Sequence, residues 1–261
     1  MAKAISIANQ KGGVGKTTTT MNLAAALVQK GEKVLCIDLD PQRNLSKYLG
    51  FQEDGRKNIS DALLSAVQGD PIILSELIRN NPEGIDYIPS SLSLAYVETQ
   101  MNTAMCREQL LQSLLEEAGL QMAYNYVLID CPPNLSISLT NALTASDEVI
   151  IPVQAEPFAL EGLADLTNIV YQIRKRLNPS LSISGILLTM YDARLNVSRE
   201  VEEQLKGVFG DLVFQTKISD STKAAQSTAK AKSMVSEKSN KLGQEYKQVV
   251  EEMQNQKKGD A

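Results

Sequence analysis

The chain of 261 residues carries a formal net charge of −5 and contains no histidine and no tryptophan. Without histidine the commonest general base and metal ligand is missing, so proton and metal chemistry fall to carboxylates, hydroxyls and water. The acidic balance argues against wholesale coating of nucleic acid and leaves only a local basic patch for that role, while the lack of tryptophan removes the usual stacking platform for single strands.

In chain order, apolar runs alternate with stretches of helical period, the mark of an α/β protein with a mostly parallel twisted sheet and helices on both faces. Strands are expected at 4–9, 33–38, 85–89, 125–130, 147–152 and 183–189, with a further short one at 212–215. The opening MAKAIS lacks the basic-then-apolar order of a signal peptide, and no apolar run approaches a membrane span, so a cytoplasmic protein is expected. Between the first two strands, Leu23, Ala26 and Leu27 mark the inner face of a helix over 16–30 that stops at Gly31. Residues 50–82 read as an elaborated connection with two short helices, Ile59 to Val67 and Pro71 to Ile78. A helix over 158–177 sets Leu160, Leu163, Leu166, Ile169, Val170, Ile173 and Leu177 on one face. From about 221 to 255 lysine, serine, glutamine and glutamate dominate, which predicts surface helices, followed by a frayed tail at 256–261. The whole of 1–261 is expected to be a single domain. Three widely spaced cysteines, Cys36, Cys106 and Cys131, read as reduced thiols.

The segment from Lys11 through Gly12, Gly13, Val14, Gly15, Lys16 and Thr17 to Thr18 joins the first strand to the first helix. Glycines there let backbone N–H groups converge on phosphate oxygens, Lys16 reaches the β and γ phosphates, the Thr17 hydroxyl ligates Mg²⁺, and the helix presents its positive end. ATP and Mg²⁺ are the expected ligands. Two further apolar runs end in acids, at Asp38 and Asp40 and at Asp130. Functional groups of a parallel sheet gather at the carboxyl ends of its strands, so Asp130 reads as the Mg²⁺ partner, usually acting through water.

The glycine loop departs from the general P-loop pattern, since Gln10 stands in place of its first glycine and a second lysine, Lys11, opens it. There the chain resembles the deviant Walker A ATPases, the family of the chromosome- and plasmid-partition protein ParA (Soj) and the division-site protein MinD. The resemblance runs from Ala4 to roughly Val235 and is specific at 9–18, 38–46, 128–133 and 187–194. It implies an ATP-sandwich homodimer in which Lys11 reaches the partner's phosphates. Asp40 resembles the aspartate that positions the attacking water and stands close to the metal, so Lys11, Lys16 and Asp40 become the catalytic candidates. It further implies nonspecific binding of double-stranded DNA, slow hydrolysis stimulated by a ParB-like adaptor, and association with the nucleoid in the ATP form. Arg43 stands where the family has glycine, and a loop tolerant of either residue is expected; the alternative is a positive φ at Arg43.

By the same resemblance the DNA-binding candidates are Arg194, after Leu-Thr-Met-Tyr-Asp-Ala, and Lys223, the residue left in a segment that has otherwise lost its arginines. Residues 217–247 hold Lys217, Lys223, Lys230, Lys232, Lys238, Lys241 and Lys247 against Asp220, Glu237 and Glu245. Three other readings compete. A metabolic ligase of the dethiobiotin synthetase or cobyrinic acid a,c-diamide synthase type would need an additional acid-substrate pocket. A MinD-like membrane regulator would need a C-terminal helix with more apolar bulk than Tyr246 to Met253 offers. An electron carrier of the nitrogenase iron-protein type would need paired cluster cysteines.

Overall fold

A computed structural model describes residues 2–157, 159–237 and 239–259. Its elements run β1 (Lys3–Ile7), α1 (Lys16–Gln29), β2 (Val34–Asp38), α2 (Asn44–Tyr48), α3 (Ile59–Gln68), β3 (Arg79–Asn80), β4 (Asp86–Ile88), α4 (Leu94–Met101), α5 (Leu110–Glu117), α6 (Leu120–Ala123) and β5 (Tyr126–Asp130). They continue through α7 (Ile137–Thr144), β6 (Glu148–Gln154), α8 (Ala159–Arg176), β7 (Ser182–Thr189), α9 (Asn196–Phe209), α10 (Lys223–Ala229) and α11 (Lys241–Gly259).

One seven-stranded sheet has the order β3-β4-β2-β5-β1-β6-β7. Among the described residues every strand pairing is parallel except β3 with β4, which is antiparallel. The inner strands are apolar on both faces because both faces are covered. Ile5, Ile7, Cys36 and Leu128 pack on one side with α1, α2 and α11. Ala4, Leu35, Ile37, Val127 and Ile129 pack on the other with α3, α4, α5, α7 and α8. This alternation follows from the two-residue repeat of the strand.

The expected strands and the helices over 16–30 and 158–177 are present within a residue or two, although Phe158 lies outside the described residues. Four details differ. Residues 212–215 form only an isolated bridge, Ile186 to Val213, which covers the outer edge of β7 together with Phe214 N–H to Ile186 O and Ile218 N–H to Leu188 O. The second helix of the 50–82 connection shrinks to a 3₁₀ turn at Leu74–Leu77, and the chain then closes the opposite sheet edge with two-residue β3.

The C-terminal helices are not both surface elements. α11 buries Leu242, Tyr246, Val249, Val250 and Met253 against the α1 face. Those positions follow the i, i+4, i+7, i+8, i+11 spacing of one helical stripe, and their polar neighbours lie outward. The tail expected to fray from 256 stays helical as far as Gly259, and residues 260–261, like Lys238, lie outside the described residues.

Candidate functional site

β1, β2 and β5 lie side by side at the sheet centre and end together, so the loops that follow them meet. After β1, Gly13 and Gly15 take φ of 79° and 86°, a left-handed backbone that glycine adopts without a Cβ clash. Gly15 precedes α1 with no side-chain cap, and the first turn holds no acid. The N–H groups of that turn are therefore available to an anion. Val14 is buried, and its carbonyl accepts from Thr189 Oγ1 at 2.9 Å, which pins the loop to β7.

Lys16 is 7% exposed, and its ammonium donates to the Lys11 carbonyl at 2.9 Å. Burial lowers its pKa, opposed chiefly by the charge of Asp130. Thr17 donates its hydroxyl to Asp130 Oδ2 at 2.7 Å, and the Thr20 hydroxyl lies 3.2 Å from Oδ1. Asp130 pairs in register with Asp38 on β2, and both carboxyls are raised well above the ordinary range, first by burial and then, for Asp130, by the charge of Asp38 and, for Asp38, by that of Asp40.

Asp38 is a support that motif reading did not single out. It accepts from Ser46 N–H at 2.7 Å, Ser46 Oγ at 2.6 Å and Asp40 N–H at 3.1 Å, and so fixes the turn that carries Asp40. A buried acid two residues before Asp40, with a serine eight residues on, was the available signal. Asp40 is 7% exposed, accepts from Gln42 N–H at 2.9 Å, and has its pKa raised mainly by burial.

Arg43 adopts φ 59°, so the loop does not adapt to the side chain; the residue takes the left-handed conformation itself. The expectation of a loop indifferent to glycine or arginine is thereby corrected. A charged contact with Glu53 accompanies the strain.

Gly12, Gly13, Lys16, Thr17, Thr18, Asp40, Met190 and Thr228 line an open cleft of about 380 Å³. Two larger surface clefts, about 680 and 460 Å³, contain none of these residues. Volume therefore does not locate the chemistry.

A polyphosphate fits the cradle. No atom lies within 4 Å of where a Cβ on Gly12 or Gly13 would sit, and a buried cation faces the loop carboxylates. Among the described residues no three acids or cysteines converge on a metal position. That suits Mg²⁺, which keeps several waters and takes substrate phosphate oxygens with few protein ligands.

The side chain of Lys11 does not line its own cleft, although its carbonyl accepts from the Lys16 ammonium there. Its backbone N–H donates to Asn9 Oδ1 at 3.0 Å, Asn9 in turn donates to Pro152 O at 2.7 Å, and the ammonium pairs with Glu156 beyond β6. Arg194, 88% exposed in its side chain, forms a two-pronged pair with Asp192 at 2.9 and 2.7 Å. Lys223 is exposed at the start of α10. A bridge between Tyr191 and Ser219 joins the segments that precede Arg194 and Lys223.

A family model described as an AAA domain matches residues 2–183. The sporulation initiation inhibitor protein Soj of Bacillus subtilis is 40% identical over 235 residues, covering 90% of this chain and 91% of that protein. The chromosome partitioning protein ParA of Caulobacter vibrioides is 42% identical over 216 residues, covering 83% and 80%. A solved putative plasmid partition protein of Borrelia burgdorferi, bound to AMPPNP, matches with TM-score 0.81 at 30% identity, covering 98% of this chain and 100% of that one. Cobyrinic acid a,c-diamide synthase of Mycobacterium smegmatis, with ADP and magnesium, matches with TM-score 0.77 at 34% identity, covering 88% and 93%.

Proposed function

The chain belongs to the family of the partition ATPases ParA and Soj, and from that membership we propose that it is a DNA-positioning switch: it dimerises around ATP, binds DNA nonspecifically as the dimer, and lets go after slow hydrolysis prompted by an adaptor protein. It is an ATPase that uses Mg²⁺. The observation that carries the dimer is the position of Lys11. A lysine side chain at the mouth of a phosphate loop that turns to Glu156 and does not line its own cleft supports a role toward a second subunit's phosphates.

In this reading Lys16 stabilises the charge that develops on the γ-phosphoryl, aided by the first-turn N–H groups of α1. Asp40, held by Asp38 and Ser46, orients the attacking water. Mg²⁺, met by Thr17 and, through water, by Asp130 and Asp40, neutralises phosphate charge. Arg194 and Lys223 meet DNA phosphates without reading bases. The protein works in the cytoplasm and on the nucleoid.

Sedimentation tests the dimer: with ATP the wild type should sediment as a dimer and Lys11→Ala as a monomer, and a full dimer in the variant would overturn the cross-subunit role. For DNA, Arg194→Glu with Lys223→Glu should abolish ATP-dependent binding of unrelated duplexes and leave basal ATPase intact. The salt dependence of wild-type binding should exceed that of a variant lacking one residue per subunit by about 2 in log–log slope. Unchanged affinity in the double variant would point to a cargo positioned without DNA.

The likeness to cobyrinic acid a,c-diamide synthase gives the ligase reading its one specific support. Against it, the P-loop cleft has Lys16 as its only lining cation among the described residues, which leaves no second positive group for a carboxylate substrate. ATPase activity without any added carboxylate, raised by DNA, would decide for partition. Against the MinD-like reading stands the burial of the apolar face of α11 inside the fold.

A further inference from the structure

The helix α10 is attached to the rest of the protein by very little. Among its residues only Ser227 is buried, and Ala224 alone is partly buried against the core; Lys223, Ala225, Gln226, Thr228 and Ala229 are exposed. So little apolar burial gives a helix low local stability, and a polar anchor then decides where it sits.

That anchor is a buried chain of hydrogen bonds with a determined proton order. Ser227 Oγ donates to the Lys232 carbonyl, so the Tyr48 hydroxyl must donate to Ser227. Tyr48 Oη accepts from Asn22 Nδ2 at 3.4 Å. The second Nδ2 proton of Asn22 goes to the Thr18 carbonyl at 2.8 Å, and Asn22 Oδ1 accepts from Met234 N–H at 2.8 Å. Tyr48 and Asn22 are both fully buried. In a low-dielectric setting each member of such a chain is costly to leave unpaired, so the anchor is specific in geometry.

Both ends of the chain reach functional ground. Thr18 and Thr228 line the phosphate cleft, and Thr228 follows Ser227 directly. Lys223, at the start of the same short helix, lies four residues after Ser219, which bridges to Tyr191 on the segment that carries Arg194. Tyr48 also ends α2, whose Ser46 holds Asp38 beneath the Asp40 turn.

We propose that Tyr48 is a positioning residue that docks α10 against the nucleotide cleft, so that a bound nucleotide, packed on Thr228, tightens α10 and sets Lys223 in place. The DNA consequence rests on the partition reading; the ordering of α10 by nucleotide does not.

Hydrogen exchange of the full chain, with and without Mg²⁺–AMPPNP, separates the two. In the wild type, amides over 223–232 should exchange at least about threefold more slowly with nucleotide, a shift expected of a weakly held element gaining a neighbour. In Tyr48→Phe, which keeps the ring and removes only the hydroxyl, that difference should vanish, while the P-loop and α1 amides keep theirs and AMPPNP affinity changes little. Ser227→Ala should reproduce the result by cutting the chain one link later, and it serves if Tyr48→Phe fails to fold. In filter binding, either variant should bind DNA with ATP no better than without it. Wild-type protection of 223–232 in both variants, or no nucleotide effect on that segment in the wild type, would overturn the proposal. A wild type that binds no DNA in any state would instead overturn the partition reading, and the exchange result would still decide this one.

Discussion

Thr17 gives its hydroxyl proton to Asp130 across 2.7 Å, so the two groups proposed to meet Mg²⁺ are hydrogen-bonded to each other. Burial favours the protonated form of Asp130, and Asp38 beside it adds to the effect. A carboxyl whose folded pKa exceeds its unfolded value of about 4 stabilises the fold fully below that value. The contribution is lost as pH rises through the raised folded value. Asp130→Asn, which keeps the shape and an acceptor for Thr17, should therefore flatten the loss of stability of the nucleotide-free protein with rising pH. The same change should weaken Mg²⁺ by about 10- to 100-fold, the usual cost of losing an outer-sphere partner. Thermal melts across pH, and Mg²⁺ titrations with nucleotide, check the two halves; a variant melting curve as pH-dependent as the wild type would refute the first.

Asp40→Ala is expected to spare ATP affinity and lower turnover by about 10²-fold or more, the range for removing a group that handles the attacking water's proton. The Asp38 and Ser46 bonds keep the turn in place without the Asp40 carboxylate, because Asp40 contributes its backbone N–H to them. Single-turnover hydrolysis measures the step. Wild-type rates would make Asp40 purely structural.

Arg43→Gly should stabilise the protein by about 1 kcal/mol. Relief of a non-glycine left-handed residue is worth roughly 1–3 kcal/mol, and the loss of an ion pair whose Glu53 partner is exposed offsets at most about 1 kcal/mol. Urea denaturation reads the difference, and a destabilised variant would show that the Glu53 contact outweighs the strain.

Gly243→Ala should cost about 1–3 kcal/mol, as overpacking does in a filled interior. A Cβ there would come within 2.3 Å of the Met234 carbonyl oxygen, which is backbone and cannot swing aside. Gly162→Ala in α8 is the control, with no atom within 4 Å of the new methyl, and should be neutral or stabilising. Equal melting temperatures for the two variants would mean that α11 shifts without cost.

The central sheet was legible because its strands are apolar on both faces and end in loops rich in glycine and acid. The cradle was legible because glycine spacing followed by lysine and threonine has one conformational use. Three features were harder to read, for separate physical reasons. The support at Asp38 depends on a hydrogen bond to Ser46, for which the eight-residue spacing is only a weak signal. The left-handed backbone of Arg43 stood only as the alternative, because it runs against a non-glycine residue's own preference. The C-terminal helix was misjudged because its charged residues dominate the composition, whereas the spacing of Leu242, Tyr246, Val249, Val250 and Met253 carried the burial.

The bridge at Val213 and the hydrogen bonds of Phe214, Ile218 and Tyr191 occupy main-chain groups along β7 that an open strand would offer to a neighbour. At the far side the two residues of β3 are too few to seed a ladder. Among the described residues little open strand is left at either border to template another chain, the usual route to fibrous aggregation. A higher-order array of this protein is therefore expected to be stitched through side chains rather than strand edges, and so to come apart when the faces that carry them change.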